Sequence, residues 1–118
     1  MKYFFDTYAL IEITKKNPNF SIYFDEDITT SIFNLIEFYY CILRDLGEHE
    51  AKFAYNNFKN SVVNINDETI FDAMNLKLKN KKLSYVDCLG YNLALKNNLK
   101  FLTGDKEFKN MDNVEFVQ

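Results

Sequence analysis

Four carboxylates stand far apart in this 118-residue chain, each beside or within an apolar stretch. Asp6 closes the run Tyr3-Phe4-Phe5, and Glu37 breaks the apolar stretch that begins Ile32-Phe33. Asp87 lies within Ser84-Tyr85-Val86-Asp87-Cys88-Leu89, and Asp105 follows Phe101-Leu102-Thr103-Gly104. A charge embedded in apolar sequence costs on the order of several kcal/mol unless it is paired or binds a metal. Four such placements point to one shared acidic pocket, and the chemistry of such a pocket is divalent-cation binding. Mg²⁺ and Mn²⁺ prefer hard oxygen ligands and usually retain waters, so carboxylates suit them. One ion can activate a water, and a second about 4 Å away can stabilise a leaving oxygen. No side-chain nucleophile is then needed. Two carboxylates about 4 Å apart repel by about 4 kcal/mol at an effective dielectric of about 20. Without metal, at least one of the four should therefore hold its proton more tightly.

The elements that must gather these acids alternate between strand and helix. Lys2 to Phe5 reads as a short buried strand, and Asp6-Thr7 turns into a helix over Tyr8 to Lys16 that Pro18 stops. Asn19 to Phe24 is ambiguous between a short helix and an irregular segment. Asp27 to Ser31 reads as a short β segment, and Ser31 caps a long helix from Ile32 to Leu46 that Gly47 ends. A helix from Glu48 to Asn60 carries Phe53, Ala54 and Phe58 at helical spacing. Val62 to Ile65 is a β-branched strand, followed by a helix with Ile70, Ala73, Met74 and Leu78 as its apolar stripe. Ser84 and Asp87 have the spacing of a capping box, with Leu89, Leu93 and Ala94 continuing that helix's apolar face. Lys100 to Thr103 is a strand, Asp105 to Lys109 a turn of helix, and Val114 to Val117 a last strand. The pattern predicts a single α/β domain over residues 1–118, with a central, mostly parallel sheet flanked by helices in three α/β/α layers. Active sites of such sheets lie beyond the carboxyl ends of the strands, where Asp6 and Asp105 stand. Glu37 and Asp87 can lean over the same rim, and Gly90 leaves the helix surface after Asp87 open to a close approach by backbone or ligand.

Composition excludes several other classes. Hydrophobic residues make up 47% and aromatic residues 17% of the chain, enough for a packed core and against disorder. No apolar run approaches the roughly 20 residues of a membrane helix, and the N-terminus lacks the features of a signal peptide. Cys41 and Cys88 have no close-spaced partner and read as buried thiols of a reducing cytoplasm. His49 is the only histidine and sits in a polar run, which argues against a histidine-based relay or a Cys/His zinc site. The net charge of −3 provides no global basic field. Lys15-Lys16, Lys77 to Lys82, and Lys106 with Lys109 form local clusters whose simplest reading is solvated helix faces and helix ends. Arg44, the only arginine, shares a helix with Glu37 and is a candidate pocket cation, although its simpler reading is a surface residue.

Taken in order, Phe5-Asp6-Thr7-Tyr8-Ala9-Leu10, Thr30-Ser31-Ile32-Phe33-Asn34-Leu35-Ile36-Glu37, Leu83-Ser84-Tyr85-Val86-Asp87-Cys88-Leu89 and Leu102-Thr103-Gly104-Asp105-Lys106-Glu107-Phe108 resemble the motifs of PIN domains, and among them the VapC-type toxin ribonucleases. The resemblance covers essentially the whole chain. It implies a Mg²⁺- or Mn²⁺-dependent endoribonuclease whose acidic residues carry over to Asp6, Glu37, Asp87 and Asp105. It also implies an RNA substrate, an antitoxin whose peptide occupies the acidic groove, and a homodimer. The polar residue beside the family's fourth acid carries over to Thr103. Two departures concern Tyr8, where the family often has Asn, and Glu107, where many members have Asp.

Within that frame Asp6 is expected to ligate metal, with Asp87 and Asp105 completing the site directly or through water. Glu37 is expected to ligate or to act on the attacking water. Thr7, Ser84 and Thr103 are supporting hydroxyls, and Glu107 is a reserve acid. Each has a plainer reading: Asp6 as a helix cap, Glu37 as a solvent-facing charge, Asp87 as the acid of a capping box, Asp105 as a turn former. Tyr85 and Tyr91 are core by default, although either could stack on a base. Two other functions fit the same residues less well. One is an inactive PIN-like module that binds RNA or protein. The other is a phosphoryl-transfer domain with Asp6 as nucleophile, for which the second acid expected at position 8 is Tyr8.

Overall fold

Three short strands form the centre of the molecule, and the alternation of their side chains assigns each to one helix layer. The computed structural model describes residues 2–118. Strands β1 (Tyr3–Phe5), β2 (Lys100–Thr103) and β3 (Val114–Phe116) pair in parallel in the order β1-β2-β3. Phe4 lies opposite Phe101 and Phe5 opposite Leu102. Successive strand residues face opposite sides of a sheet. Phe5 and Leu102 accordingly join a core with Leu10, Leu35, Phe38 and Phe58. Phe4 and Phe101, their rings stacked 5.8 Å apart, join another with Ala73, Leu89, Leu93 and Phe108. Helices α1 (Thr7–Thr14), α2 (Ile32–Leu46) and α3 (Glu48–Phe58) cover the first face. Helices α4 (Asp67–Lys79) and α5 (Tyr85–Lys96) cover the second. The result is the expected parallel sheet between helical layers, with strands buried on both faces and therefore written as continuous apolar runs.

The two β segments expected outside this sheet shrink to single bridges, Phe4 with Thr29 and Thr30 with Val62. Neither has room to extend. Ser31 leaves the sheet at once because its side chain caps α2 at the Asn34 amide, and Asn66 does the same for α4 at Thr69. The first helix also stops sooner than expected, at Thr14, with Lys16 in a left-handed conformation at φ 58°. Pro18 does not end it; it opens a 3-10 turn, Pro18–Tyr23, whose cap is Asn17. Proline suits the first position of such a turn because no partner for an N–H is needed there.

The apolar stripes also need correction. Ala73 is buried on α4, but Leu78 is exposed and Ile70 about one-third so; on α3 Phe53 is exposed while Ala54 and Phe58 are buried. The helices have the expected period, but the buried stripe is narrower than the apolar one: Ala51, Ala54 and Phe58 on α3, and Thr69 and Ala73 on α4. Cys88 is buried as expected, whereas Cys41 is only partly covered. Gly90 does permit a close approach, though to the protein itself. A Cβ there would come within 3.1 Å of both the Asn34 amide oxygen and the Phe4 ring. Its role is to let α5 settle on the sheet, and it opens no surface to a ligand. Among the described residues no helix is long and apolar enough to cross a membrane.

Candidate functional site

Asp6 follows β1 directly and is only 4% exposed. One carboxylate oxygen accepts the Ala9 N–H at 2.9 Å, so it caps α1. Asp105 follows β2 across Gly104, and its Oδ1 accepts the Glu107 N–H at 3.0 Å, capping a short 3-10 turn, Lys106–Phe108. The buried Thr103 hydroxyl joins these two strand ends. It donates to the Asp6 carboxylate and accepts the Asp105 N–H at 3.0 Å. Asp87 enters from α5. Its Oδ2 accepts the Ser84 N–H at 2.9 Å while its own N–H donates to Ser84 Oγ at 3.0 Å, closing the capping box. Glu37 enters from α2, half-buried, and accepts the Thr7 hydroxyl at 2.7 Å. Helix capping and convergence thus hold together for Asp6, Asp87 and Asp105. Each is pinned through an oxygen to a backbone amide, which fixes its direction.

Each of the four acids senses the charge of at least one other or is sensed by it. Asp6 is influenced by the charges of Asp87 and Asp105, Asp87 by Asp105, and Glu37 by Asp87. Burial is the first cause of the upward shift at Asp6, to about 7, and repulsion from the neighbouring acids adds to it against the Thr103 and Ala9 hydrogen bonds. Burial likewise leads the rise at Glu37, opposed by the Thr7 hydroxyl, and at Asp87, opposed by the Ser84 bonds and more weakly by Lys77. A tightened proton was expected from mutual repulsion; desolvation proves to be the larger cause. Among the described residues no three His, Cys, Asp or Glu side chains close on one point as a ready ligand set. The acids form an open rim, not a cage.

The remaining candidates divide. Thr7, Ser84 and Thr103 each hold one of the acids. Glu107 has an exposed side chain and contributes its backbone N–H to Asp105. Arg44 turns its guanidinium to Asp45, at 2.8 Å, and so does not neutralise the rim. Asn34 was not singled out by sequence reasoning. Its buried amide accepts the Ser31 hydroxyl at 2.6 Å and donates to Thr7 Oγ1 at 3.2 Å, so it orients the hydroxyl that holds Glu37. Its signal was available: it lies three residues after a capping Ser and three before the acid, on the same helix face.

Tyr8 and Gly104 form a second unforeseen support. A Cβ on Gly104 would collide with the Tyr8 ring and lie 2.5 Å from the Val117 carbonyl oxygen. Backbone on one side and a ring on the other leave no room, so Gly104→Ala must displace the link between Thr103 and Asp105. The expected loss is about 1–3 kcal/mol of stability, as for other overpacked interiors. Urea denaturation measures it, and an unchanged midpoint would contradict the contact.

The profile of the PIN domain family matches residues 3–114. No curated protein sequence matches the chain. Among solved structures, the fold is similar to that of a toxin-antitoxin complex from Klebsiella pneumoniae, with a TM-score of 0.75 at 19% identity over 97% of this chain and 96% of the other. It is similar to VapC20 of Mycobacterium tuberculosis, a Sarcin-Ricin loop cleaving toxin, at 0.79 and 17% identity over 99% and 100%. It is also similar to VapBC2 from Rickettsia felis bound to a promoter DNA fragment, at 0.73 and 17% identity over 100% of both chains. At such identities these structures speak for the fold, and the profile speaks for the family: from its first strand to the start of its last, this chain belongs to the PIN domain family.

Proposed function

We propose that the chain is a divalent-metal-dependent endoribonuclease, the toxin of a toxin–antitoxin pair, acting through Asp6, Glu37, Asp87 and Asp105. The observation that carries this reading is the placement of Asp6 and Asp105 directly beyond the ends of the adjacent strands β1 and β2, joined through Thr103, with Asp87 near enough for its charge to act on Asp6 and Glu37. The donor set is all hard oxygen, the type that suits Mg²⁺ or Mn²⁺ with retained waters. Asp6, Asp87 and Asp105 would hold the ion, directly or through water, and when bound it supplies charge for the phosphate and activation of water. The chain's own residues do the rest. Hydrogen bonds from the Ala9, Ser84 and Glu107 amides hold the three acids in fixed directions, so little reorganisation remains for the reaction. Glu37, held by Thr7 and raised in pKa by burial, is suited to take a proton from the attacking water. Asp6 is a poor in-line nucleophile, since it is almost fully buried and tied to α1.

The partner follows from the neighbours and from the surface. Solved relatives include toxin–antitoxin complexes. On this chain Ile36, Tyr40, Leu46 and Phe53 are exposed on α2 and α3, and a groove lined by Thr7, Ile36, Glu37, Tyr40, Cys41 and Arg44 opens beside the acids. An antitoxin segment with apolar anchors and one arginine for the carboxylates would fit it, because the planar guanidinium can hold two carboxylate oxygens. The same apolar surface could serve a homodimer.

The test is cleavage of a labelled RNA pool. Activity is expected to vanish with chelator and to return with Mg²⁺ or Mn²⁺. Ca²⁺ should bind yet support little cleavage, since it takes looser geometry and polarises water less. Full activity in chelator would overturn the proposal, because no side-chain relay on this rim could replace the ion.

A further inference from the structure

Beside the acids, the end of α4 and the start of α5 build a surface of a different character. Lys77, Lys79, Lys81 and Lys82 fall within six residues of a chain whose net charge is −3. Lys77 is spent locally: its ammonium donates to the carbonyls of Lys81 at 2.9 Å and Leu83 at 2.6 Å, fixing the turn between the helices. Lys79, Lys81 and Lys82 are exposed, and among the described residues none of them pairs with a carboxylate. The turn leads into Tyr85, the first residue of α5.

The structure also separates the two tyrosines that sequence reasoning left equal. Tyr91 is buried among Phe101 and Phe108, with its hydroxyl donating to the Asp112 carbonyl at 2.6 Å. Tyr85 is 64% exposed, and the Lys77 ammonium sits 5.3 Å from its ring centroid. A large ring left in water, yet braced by a cation that is itself anchored at two carbonyls, is a preorganised face. Lys77 lies between the two, over the Tyr85 ring and near enough for its charge to act on Asp87.

We propose that Tyr85 is a base-stacking platform for single-stranded RNA entering the acidic rim, with Lys79, Lys81 and Lys82 contacting the phosphates that lead to it. The chemistry is that of single-strand binders, in which an aromatic face takes a base and adjoining cations follow the backbone. A single strand is the substrate form selected, because bases stacked within a duplex cannot reach an exposed side chain. An acidic rim repels RNA, and a basic turn beside it supplies the local attraction that the overall charge does not. The proposal rests on the ribonuclease reading for its direction but can fail separately from it.

The experiment is fluorescence anisotropy with a mixed-sequence, single-stranded RNA of about twelve nucleotides and its duplex form, in Ca²⁺ so that the probe survives. Tyr85→Ala is expected to weaken single-strand binding about tenfold, within the span that alanine substitution of stacking residues produces. Tyr85→Phe, which keeps the ring, should stay within about twofold. Lys81→Gln with Lys82→Gln should make the dependence of log affinity on log salt shallower by about 1.4, two phosphate contacts at about 0.7 each. Lys52→Gln on α3, whose partner is Glu48, is the remote charge control and should change neither. Equal affinity of Tyr85→Ala and wild type, tighter binding of the duplex, or no binding by wild type at low salt would each overturn the platform. Cleavage in Mg²⁺ separates the two readings. If wild type cleaves RNA but binding ignores Tyr85, only the platform falls. If binding depends on Tyr85 but wild type never cleaves, the nuclease reading falls and the platform stands.

Discussion

Asp6→Asn is expected to lower RNA cleavage by on the order of a thousandfold or more, while making the metal-free protein more stable at about pH 8. The two effects have one origin. Asp6 is almost fully buried, and its carboxyl faces the charges of Asp87 and Asp105. Ionised, it provides the charge a cation needs, and without the cation that same charge is a burden. Asn keeps the shape and the oxygen that accepts the Ala9 N–H. It loses the charge-assisted bond from Thr103, so part of the relief is offset, leaving a net gain of about 1–3 kcal/mol. Cleavage of labelled RNA in Mg²⁺ and urea denaturation in chelator are to be measured on both proteins. Expression of wild type should arrest growth unless the antitoxin is co-expressed, and expression of the variant should not. Undiminished cleavage by the variant would remove Asp6 from the site, and a lower stability in chelator would remove the argument for a strained apo rim.

Most of this rim was readable from the sequence because each acid is announced by its local context. Asp6 and Asp105 end apolar strands, and the Ser84 to Asp87 spacing states its capping box outright. What those signals do not carry is a neighbour. Asn34 looked like one polar residue in an apolar helix, and only the packing of α2 against α1 shows that it holds Thr7, and through Thr7, Glu37. Tyr85 and Tyr91 have the same chemistry six residues apart, and burial alone divides them. The same limit explains the overlong elements. Phe53 and Leu78 are apolar residues of the expected helices, but each sits to the side of the buried stripe of its helix and lies in water. Val62, Val63 and Ile65 could form a strand, yet the partner segment turns into α2 at Ser31, directly after Thr30, and leaves only one bridge with Val62. Local grammar finds caps, turns and periods, whereas the length of a strand and the occupancy of a helix face are set by the partner across from it.

The metal-free protein is expected to lose stability as the pH rises from about 4 to about 7, opposite to the trend of a domain held together by paired carboxylates. In the unfolded chain Asp6 titrates near its ordinary value of 3.8, and in the folded protein burial, reinforced by Asp87 and Asp105, raises it to about 7. Between those values the folded state holds a proton that the unfolded state has released, so each upward step in pH favours unfolding. The contribution is fully present below the unfolded value and is lost as the pH passes through the folded one. Its size is about 4 kcal/mol, three pH units at about 1.4 kcal/mol each, or roughly a thousandfold in the folding equilibrium. Glu37 and Asp87 shift upward as well, burial first in both, and act in the same direction. Asp45, lowered by its hydrogen bond from Arg44, acts in the opposite direction, but it is an exposed pair screened by solvent and adds little. Urea denaturation in chelator should therefore give a higher midpoint at about pH 5 than at about pH 8. Asp6→Asn should flatten most of that slope and fall about 1–3 kcal/mol below wild type at the acid end, where Asp6 carries its proton and only the loss of the Thr103 bond remains. Mg²⁺ at millimolar concentration should restore stability at about pH 8 and do little at about pH 5, because a protonated carboxyl must give up its proton before it can ligate. A metal-free profile that is flat or rises across this range would mean that Asp6 is already ionised in the folded protein, and the reading of a strained metal-free rim would fall.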